Sequence, residues 1–340
     1  MKTQLIAEIS GNHLGSLERC LALIEAAKLA GASAVKIQTY KPETMTLPLR
    51  TPDFLISKDH ELWGGQSLFD LYKEAHTPWE WHENLFDFAS QIGIQIFSSP
   101  FDKSAVDLLE DLNTPLYKIA SLETGDIPLI RYIAKTKKPI IASTGASTLS
   151  EIDELVEAVL SEGNKNLTLL LCTSAYPTPT DQVHLMRMDL LKSRYELPVG
   201  LSDHTLGNTA SLAAVAKGAS VIERHFIIDR QQGGPDSSFS LEPGELAALS
   251  AGIIEIELSL GINNWEIQPN ESESRRLRRS LIITKKVFKG EKVSIENVKS
   301  LRPGIGLQPK FLEEIIGYTY NEDFEIGTPL TFDIISKENT

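Results

Sequence analysis

The 340-residue chain carries 33 lysines and arginines against 46 aspartates and glutamates, a net charge of −13. With a pI of about 5.1, that balance excludes nucleic acid and an anionic membrane as principal partners. Cys20 and Cys172, the two cysteines, each sit in an apolar segment, which argues against a disulfide framework and for a reducing compartment. The first ten residues are too short for a signal peptide and no apolar run reaches membrane-spanning length, so a soluble cytoplasmic protein is expected.

In chain order, short β-prone runs alternate with helical ones. QLIAEIS (Gln4 to Ser10) precedes a helix from about Ser16 to Ala30, which Gly31 stops. AVKIQT (Ala34 to Thr39) is followed by a long irregular insertion, roughly Tyr40 to Trp81, rich in proline and glycine. Within it SLFDLYKEAH reads as helix; Thr77, Pro78 and Glu80 then have the pattern of an N-cap, first-turn proline and capping box for the next helix. IQIFSS, LYKIAS, PIIAST, LTLLLCTS, PVGLSD and ASVIERHF complete eight strand candidates, nearly all separated by helices such as KSAVDLLEDL.

Eight β/α units before about residue 250 predict an α/β fold, a (β/α)8 TIM barrel. A doubly wound sheet is the alternative, but no glycine-rich dinucleotide fingerprint follows the first strand. A barrel places its chemistry at the carboxyl ends of its strands. Those ends hold Glu8; Lys36 and Gln38; Ser98 and Ser99; Lys118 and Ser121; Ser143 and Thr144; Thr173, Ser174 and Tyr176; Asp203 with His204; and Glu223 with His225. Lysines inside apolar strands are costly unless they meet an anion or take part in chemistry. His204 and His225, at adjacent parallel strand ends and each beside a carboxylate, emerge on one face; a divalent metal and a hydrogen-bonded histidine pair are both open readings. His13, His60, His76, His82 and His184 carry no such argument.

After the barrel, EPGELAALSAGIIEIELSLG reads as a helix and NNWEIQPNESESRRLRRS as a polar linker whose arginines face solvent or an interface. From Leu281 short β pieces with Gly-Pro punctuation predict a small β-rich domain. The expected organisation is therefore a barrel over 1–265, a linker over 266–280 and a second domain over 281–340.

The motifs AEISGNH, VKIQTY, FSSPFD, YKIAS, STGAS, CTSAYPTP, GLSDHT, IERHF, GGPDSSFSLEP and RPGIGL, in that order, resemble the sialic-acid-type synthases over essentially the whole chain. That resemblance implies condensation of phosphoenolpyruvate with an amino sugar, and a C-terminal SAF domain similar to type III antifreeze protein. LYKEAHTPWEW, FSSPFDKSAVDLLE and GGPDSSFSLEP are nearer to the branch that takes 2,4-diacetamido-2,4,6-trideoxy-L-altrose than to the branches that take N-acetylmannosamine or a related sugar. It further implies that Glu8 orients or deprotonates the attacking water, with a plain ion pair to Lys36 as its alternative role. Lys36, Ser99, Lys118, Ser121, Ser143 and Ser202 would bind phosphoenolpyruvate, and Gln38, Tyr176 and Asp236 the sugar. His204 and His225 would hold Mn2+ or Mg2+, with Co2+ compatible, while Asp203 and Glu223 would orient those imidazoles. Arg302 would reach the site of the other subunit in a domain-swapped homodimer. Two competing classes are a Schiff-base aldolase using Lys36 or Lys118, and a carbohydrate- or ice-binding protein using the small domain alone. Trp63, Trp79 and Trp81 are read as packing rather than sugar-stacking residues.

Overall fold

Each apolar run that ends in a glycine or a capping residue becomes one element, and the elements close into a ring. The computed structural model describes residues 2–58 and 63–337, so His60 lies outside the described residues. The chain forms two compact units, 1–261 and 262–340.

In the first unit, β1 (Gln4–Glu8), β2 (Ala34–Thr39), β3 (Gln95–Pro100), β4 (Tyr117–Ile119), β5 (Ile140–Ser143), β6 (Leu167–Cys172), β7 (Val199–Ser202) and β8 (Val221–His225) form a closed parallel barrel in sequence order. β8 pairs back onto β1, with Glu8 opposite His225. These are the eight strands expected, most of them shorter at their ends; β2 matches in full and β3 is shifted by one residue. The helices are α1 (Leu17–Leu29), α2 (Pro42–Met45), α3 (Leu68–Ala75), α4 (His82–Ile92), α5 (Lys103–Asp111), α6 (Ile127–Lys135), α7 (Leu149–Ser161), α8 (Arg187–Tyr195), α9 (Thr209–Ala216) and α10 (Pro243–Leu260). Local chemistry sets their starts: Ser16 caps α1, Asp102 caps α5, and Thr148 with Glu151 forms a capping box on α7. Gly31 ends α1 with φ of +90°, and a Cβ there would run into the Ser250 side chain on α10. No helix among the described residues is long and apolar enough to cross a membrane.

Strand alternation divides the core in two. Outward residues such as Ala7, Ile37 and Leu171 pack with Leu23, Leu85, Leu109 and Leu249 of the helix layer. Inward residues Ile6, Ala34, Phe97, Leu116, Ile141, Leu170 and Val221 fill the lower barrel. Each fully buried Leu or Ile contributes about 1.5–3 kcal/mol. Two residues further along the same faces the side chains are Glu8, Lys36, Ser99, Lys118, Ser143, Cys172 and Glu223. The interior thus changes from apolar to charged within one step of the two-residue period, at the carboxyl ends.

The start of α4 differs from the expected capping box. Trp79–Trp81 forms a 3-10 turn, and α4 begins at His82 with no side-chain cap. Thr77 is fully buried and its hydroxyl has no hydrogen-bond partner. The 3-10 turn at the two tryptophans runs directly into the helix and stands where the cap was expected. His82 is fully buried there, with Nε2 2.8 Å from the Thr39 hydroxyl and Nδ1 donating to the Pro78 carbonyl at 3.2 Å. Burial pushes its imidazole down to about 4 despite that carbonyl. The unfolded chain takes up this proton below about 6.5 and the native state only near 4, so stability is lost as pH falls through that window. Wild type should lose about 2–3 kcal/mol more than His82→Gln between pH 7 and pH 4.5, measured by urea melts.

In the second unit, α11 (Ser272–Arg276) lies inside the stretch expected to be a polar linker, its approach capped by Gln268 and Glu271. β9 (Ser280–Ile283) pairs antiparallel with β10 (Val298–Leu301) over a core of Leu281, Ile283, Val287, Val298, Tyr320 and Leu330. Arg302 follows β10 and is exposed.

Candidate active site

Because the inward strand ends converge, their polar side chains surround a cavity of about 390 Å³. Its floor includes Lys36, Gln38, Lys118, Ser121, Ser143, Cys172, Tyr176, Ser202, His204, Glu223, His225 and Asp236. Residues from the insertion and two loops, among them Tyr40, Met45, Ile56, Leu71, Tyr72 and Phe101, make an apolar wall. Glu8 and Ser99 are fully buried beside this floor, and Arg302 belongs to the second unit.

Two lysines and two glutamates make a charge cluster at and beside the floor. Lys36 is ion-paired with Glu8, and Glu223 lies between the two lysines, 3.9 Å from Lys36 and 3.8 Å from Lys118. Burial alone would raise the Glu223 carboxyl, but Lys118 and Lys36 outweigh it and hold it down at about 2. Burial lowers Lys118 in spite of Glu223, whereas Glu223 and Glu8 together keep Lys36 above its ordinary value against the same burial. Such a floor exchanges carboxylate contacts for those of an incoming anion without leaving a buried cation bare.

Unpaired hydroxyls mark where an anion would sit. The Oγ atoms of Ser99, Ser143 and Ser174 are buried without hydrogen-bond partners. Gly145 N donates to Ser121 Oγ at 3.0 Å, and a Cβ on Gly145 would lie 2.7 Å from that hydroxyl and closer still to Ser174. Gly145→Ala should therefore raise the KM for an anionic substrate about 10-fold, the effect of losing one or two hydrogen bonds to charge, with little change in Tm. Steady-state kinetics beside a thermal melt would check it.

The imidazoles of His204 and His225 stand 5.3 Å apart, centroid to centroid. Tyr176 lies 4.4 Å from His204, and Phe239 packs 4.9 Å from His225. His204 Nδ1 donates to the Thr173 carbonyl at 3.1 Å. Burial would lower its imidazole, but the hydrogen bond and charge interaction with Cys172 outweigh it and raise it. His225 Nδ1 has no hydrogen bond, and Asp236 Oδ2 is 3.4 Å away. Among the described residues no three His, Cys, Asp or Glu side chains converge on one ion position. Two facing imidazoles, one with an orphaned nitrogen, fit a divalent ion whose remaining positions go to water and substrate oxygen.

The expected orienting role of Asp203 and Glu223 is not what the fold builds. Glu223 accepts from Ser202 Oγ at 3.0 Å and serves the lysines; Asp203 faces the helix layer and pairs with Arg224. Alternation places residue 203 on the opposite face from residue 204, and the Thr173 carbonyl orients His204 in its place. The strand-end pattern also passes over Glu123, which lines the cavity in a 3-10 turn after β4. Burial pushes its carboxyl up to about 7 although Lys118 pulls the other way, and one carboxylate oxygen is unpartnered. Its signal in the sequence is an acidic residue two positions beyond Ser121, just past the strand end. Trp63 lines the cavity, and its indole N–H donates to the Pro235 carbonyl at 3.1 Å.

The family model described as NeuB family matches residues 23–264, and a SAF domain model matches residues 278–335. A pseudaminic acid synthase of Campylobacter jejuni is 44% identical over 97% of this chain and 95% of its own. An N,N'-diacetyllegionaminic acid synthase of the same species is 37% identical over 95% of this chain and 97% of its own. The crystal structure of N-acetylneuraminic acid (sialic acid) synthetase from Leptospira borgpetersenii, in complex with citrate, superposes with a TM-score of 0.72 at 32% identity, covering 81% of this chain and 90% of that one.

Proposed function

The chain belongs to the NeuB family, and from that premise we propose that it condenses phosphoenolpyruvate with 2,4-diacetamido-2,4,6-trideoxy-L-altrose and water, giving pseudaminic acid and phosphate. The observation that carries the reading is the cavity floor, which sets two buried lysines and a pair of imidazoles under one apolar wall. The greater identity to a pseudaminic acid synthase than to a legionaminic acid synthase supports the sugar.

Lys36 and Lys118 bind the phosphate and carboxylate of phosphoenolpyruvate as point charges, with Ser99, Ser121, Ser143 and Ser202 donating hydrogen bonds. Gln38, Tyr176 and Asp236 hold the sugar in its open-chain form. Lewis acidity at the aldehyde oxygen is what Mn2+, Mg2+ or Co2+ supplies when bound by His204 and His225. C3 of phosphoenolpyruvate forms the new bond to C1 of the sugar, and the aldehyde oxygen takes a proton. Glu123, which lines the cavity and whose carboxyl burial raises to about 7, is our candidate for giving that proton. Glu8 orients or deprotonates the water that adds to C2, and the tetrahedral intermediate then releases phosphate by C–O cleavage. The enzyme is thus a carbon–carbon bond-forming transferase. We place it in the cytoplasm, which its two free cysteines favour. We also propose a domain-swapped homodimer in which the exposed Arg302 of one protomer reaches the sugar bound by its partner.

Phosphate release with Mn2+, offered the diacetamido-trideoxy-altrose, N-acetylmannosamine or the legionaminic precursor sugar, tests the proposal. Release with the first alone is expected; release only with another would keep the chemistry and overturn the sugar. Lys118, whose charge burial disfavours, is also the kind of lysine a Schiff-base aldolase uses, so substrate-dependent trapping by borohydride would overturn the condensation itself.

A further inference from the structure

β7 and β8 present Ser202 and His204 to the cavity on one strand, and Glu223 and His225 on the other, with Ser202 opposite Glu223 in the register. The residues between them, Asp203 and Arg224, face the opposite way and are fully buried. Each is the immediate chain neighbour of one imidazole.

Arg224 Nη1 lies 2.6 Å from Asp203 Oδ2 and donates to the Gly207 carbonyl at 2.9 Å, while Nη2 donates to the Thr205 carbonyl at 2.7 Å. Asp203 Oδ1 accepts from Thr205 N at 2.9 Å, and Oδ2 accepts from Ser211 Oγ on α9. The loop that leaves β7 with His204 is therefore wrapped around a guanidinium rooted beside His225. A buried ion pair of this kind brings little net stability compared with an apolar pair of similar volume, because desolvation offsets the attraction. What the forked guanidinium does supply is a fixed geometry between two strand ends.

We propose that Asp203 and Arg224 are positioning residues that set the spacing of His204 and His225 for a divalent cation. They touch neither imidazole's ring nor substrate; they hold the backbone from which both rings project. The inference rests on the metal reading above and adds a residue pair to it. The phosphoenolpyruvate subsite, built on Lys36, Lys118 and the serines, shares none of these hydrogen bonds.

The test is equilibrium binding to metal-free protein, with manganese(II) followed by the electron paramagnetic resonance of the free ion and phosphoenolpyruvate by calorimetry. Arg224→Lys keeps the charge but loses the fork, and the double variant D203L/R224M replaces the pair by apolar side chains that the fold should tolerate. Both are expected to raise the Kd for manganese(II) about 10- to 100-fold, with phosphoenolpyruvate affinity and Tm retained. Arg224→Lys decides the matter if the double variant does not fold. Manganese affinity equal to wild type in a folded variant, or parallel loss of both ligands, overturns the positioning role. Wild type that fails to bind manganese(II) at all overturns the metal reading and this inference together.

Discussion

Replacing Glu8 with glutamine is expected to lower kcat by about 10²- to 10⁴-fold, the usual range for a lost general base. Glutamine fills the same volume and can still accept from Ser10 N, which binds Glu8 Oε1 at 2.8 Å. It cannot take a proton, and it cannot balance Lys36. The competing role, a structural ion pair, predicts a different pattern. Removing one partner of a buried pair typically costs about 3–5 kcal/mol of stability, so Tm would fall while the folded enzyme kept its turnover. Lys36 retains Glu223 at 3.9 Å, which limits that structural penalty and favours a readable variant. Phosphate release and a thermal melt on the same preparation separate the two. Full kcat in folded Glu8→Gln would remove Glu8 from the chemistry.

Chelating divalent ions should have a comparable effect. Phosphate release is expected to fall by about 10³-fold or more in the presence of EDTA, as the loss of several kcal/mol of Lewis-acid stabilisation implies, and to return when Mn2+ is added in excess. His204→Ala and His225→Ala should stay inactive at the Mn2+ level that restores wild type. Both positions lie among aromatic groups rather than at the centre of the hydrophobic core, so the folded state should survive truncation. Undiminished release in chelator would leave the imidazoles as a hydrogen-bonding pair, the reading that the sequence also permits.

The barrel is legible in the chain because each strand is a short apolar run followed by polar residues, and helices with their own caps separate the runs. Lys36, Lys118, His204 and His225 stand out as charged or basic residues at the ends of such runs, and all four line one cavity. Glu123 does not stand out, since it sits past the strand in a 3-10 turn and its raised pKa comes from burial by distant parts of the chain. Thr77 shows the opposite failure: a sound local capping pattern gives way to a 3-10 turn over Trp79–Trp81, and the helix starts at His82.

By itself, then, the sequence determined the eight strands, most of the helices between them, and which polar side chains would gather at one end of the barrel. Those properties follow from local periodicity and capping, which act over a few residues. Tertiary structure alone decided the partners. Asp203 and Glu223 each neighbour a histidine along the chain, yet one serves Arg224 and the other serves two lysines. Strand parity sends residue 203 towards the helices and residue 223 into the barrel, and only closure of the ring brings Lys36 and Lys118 within reach of the same carboxylate.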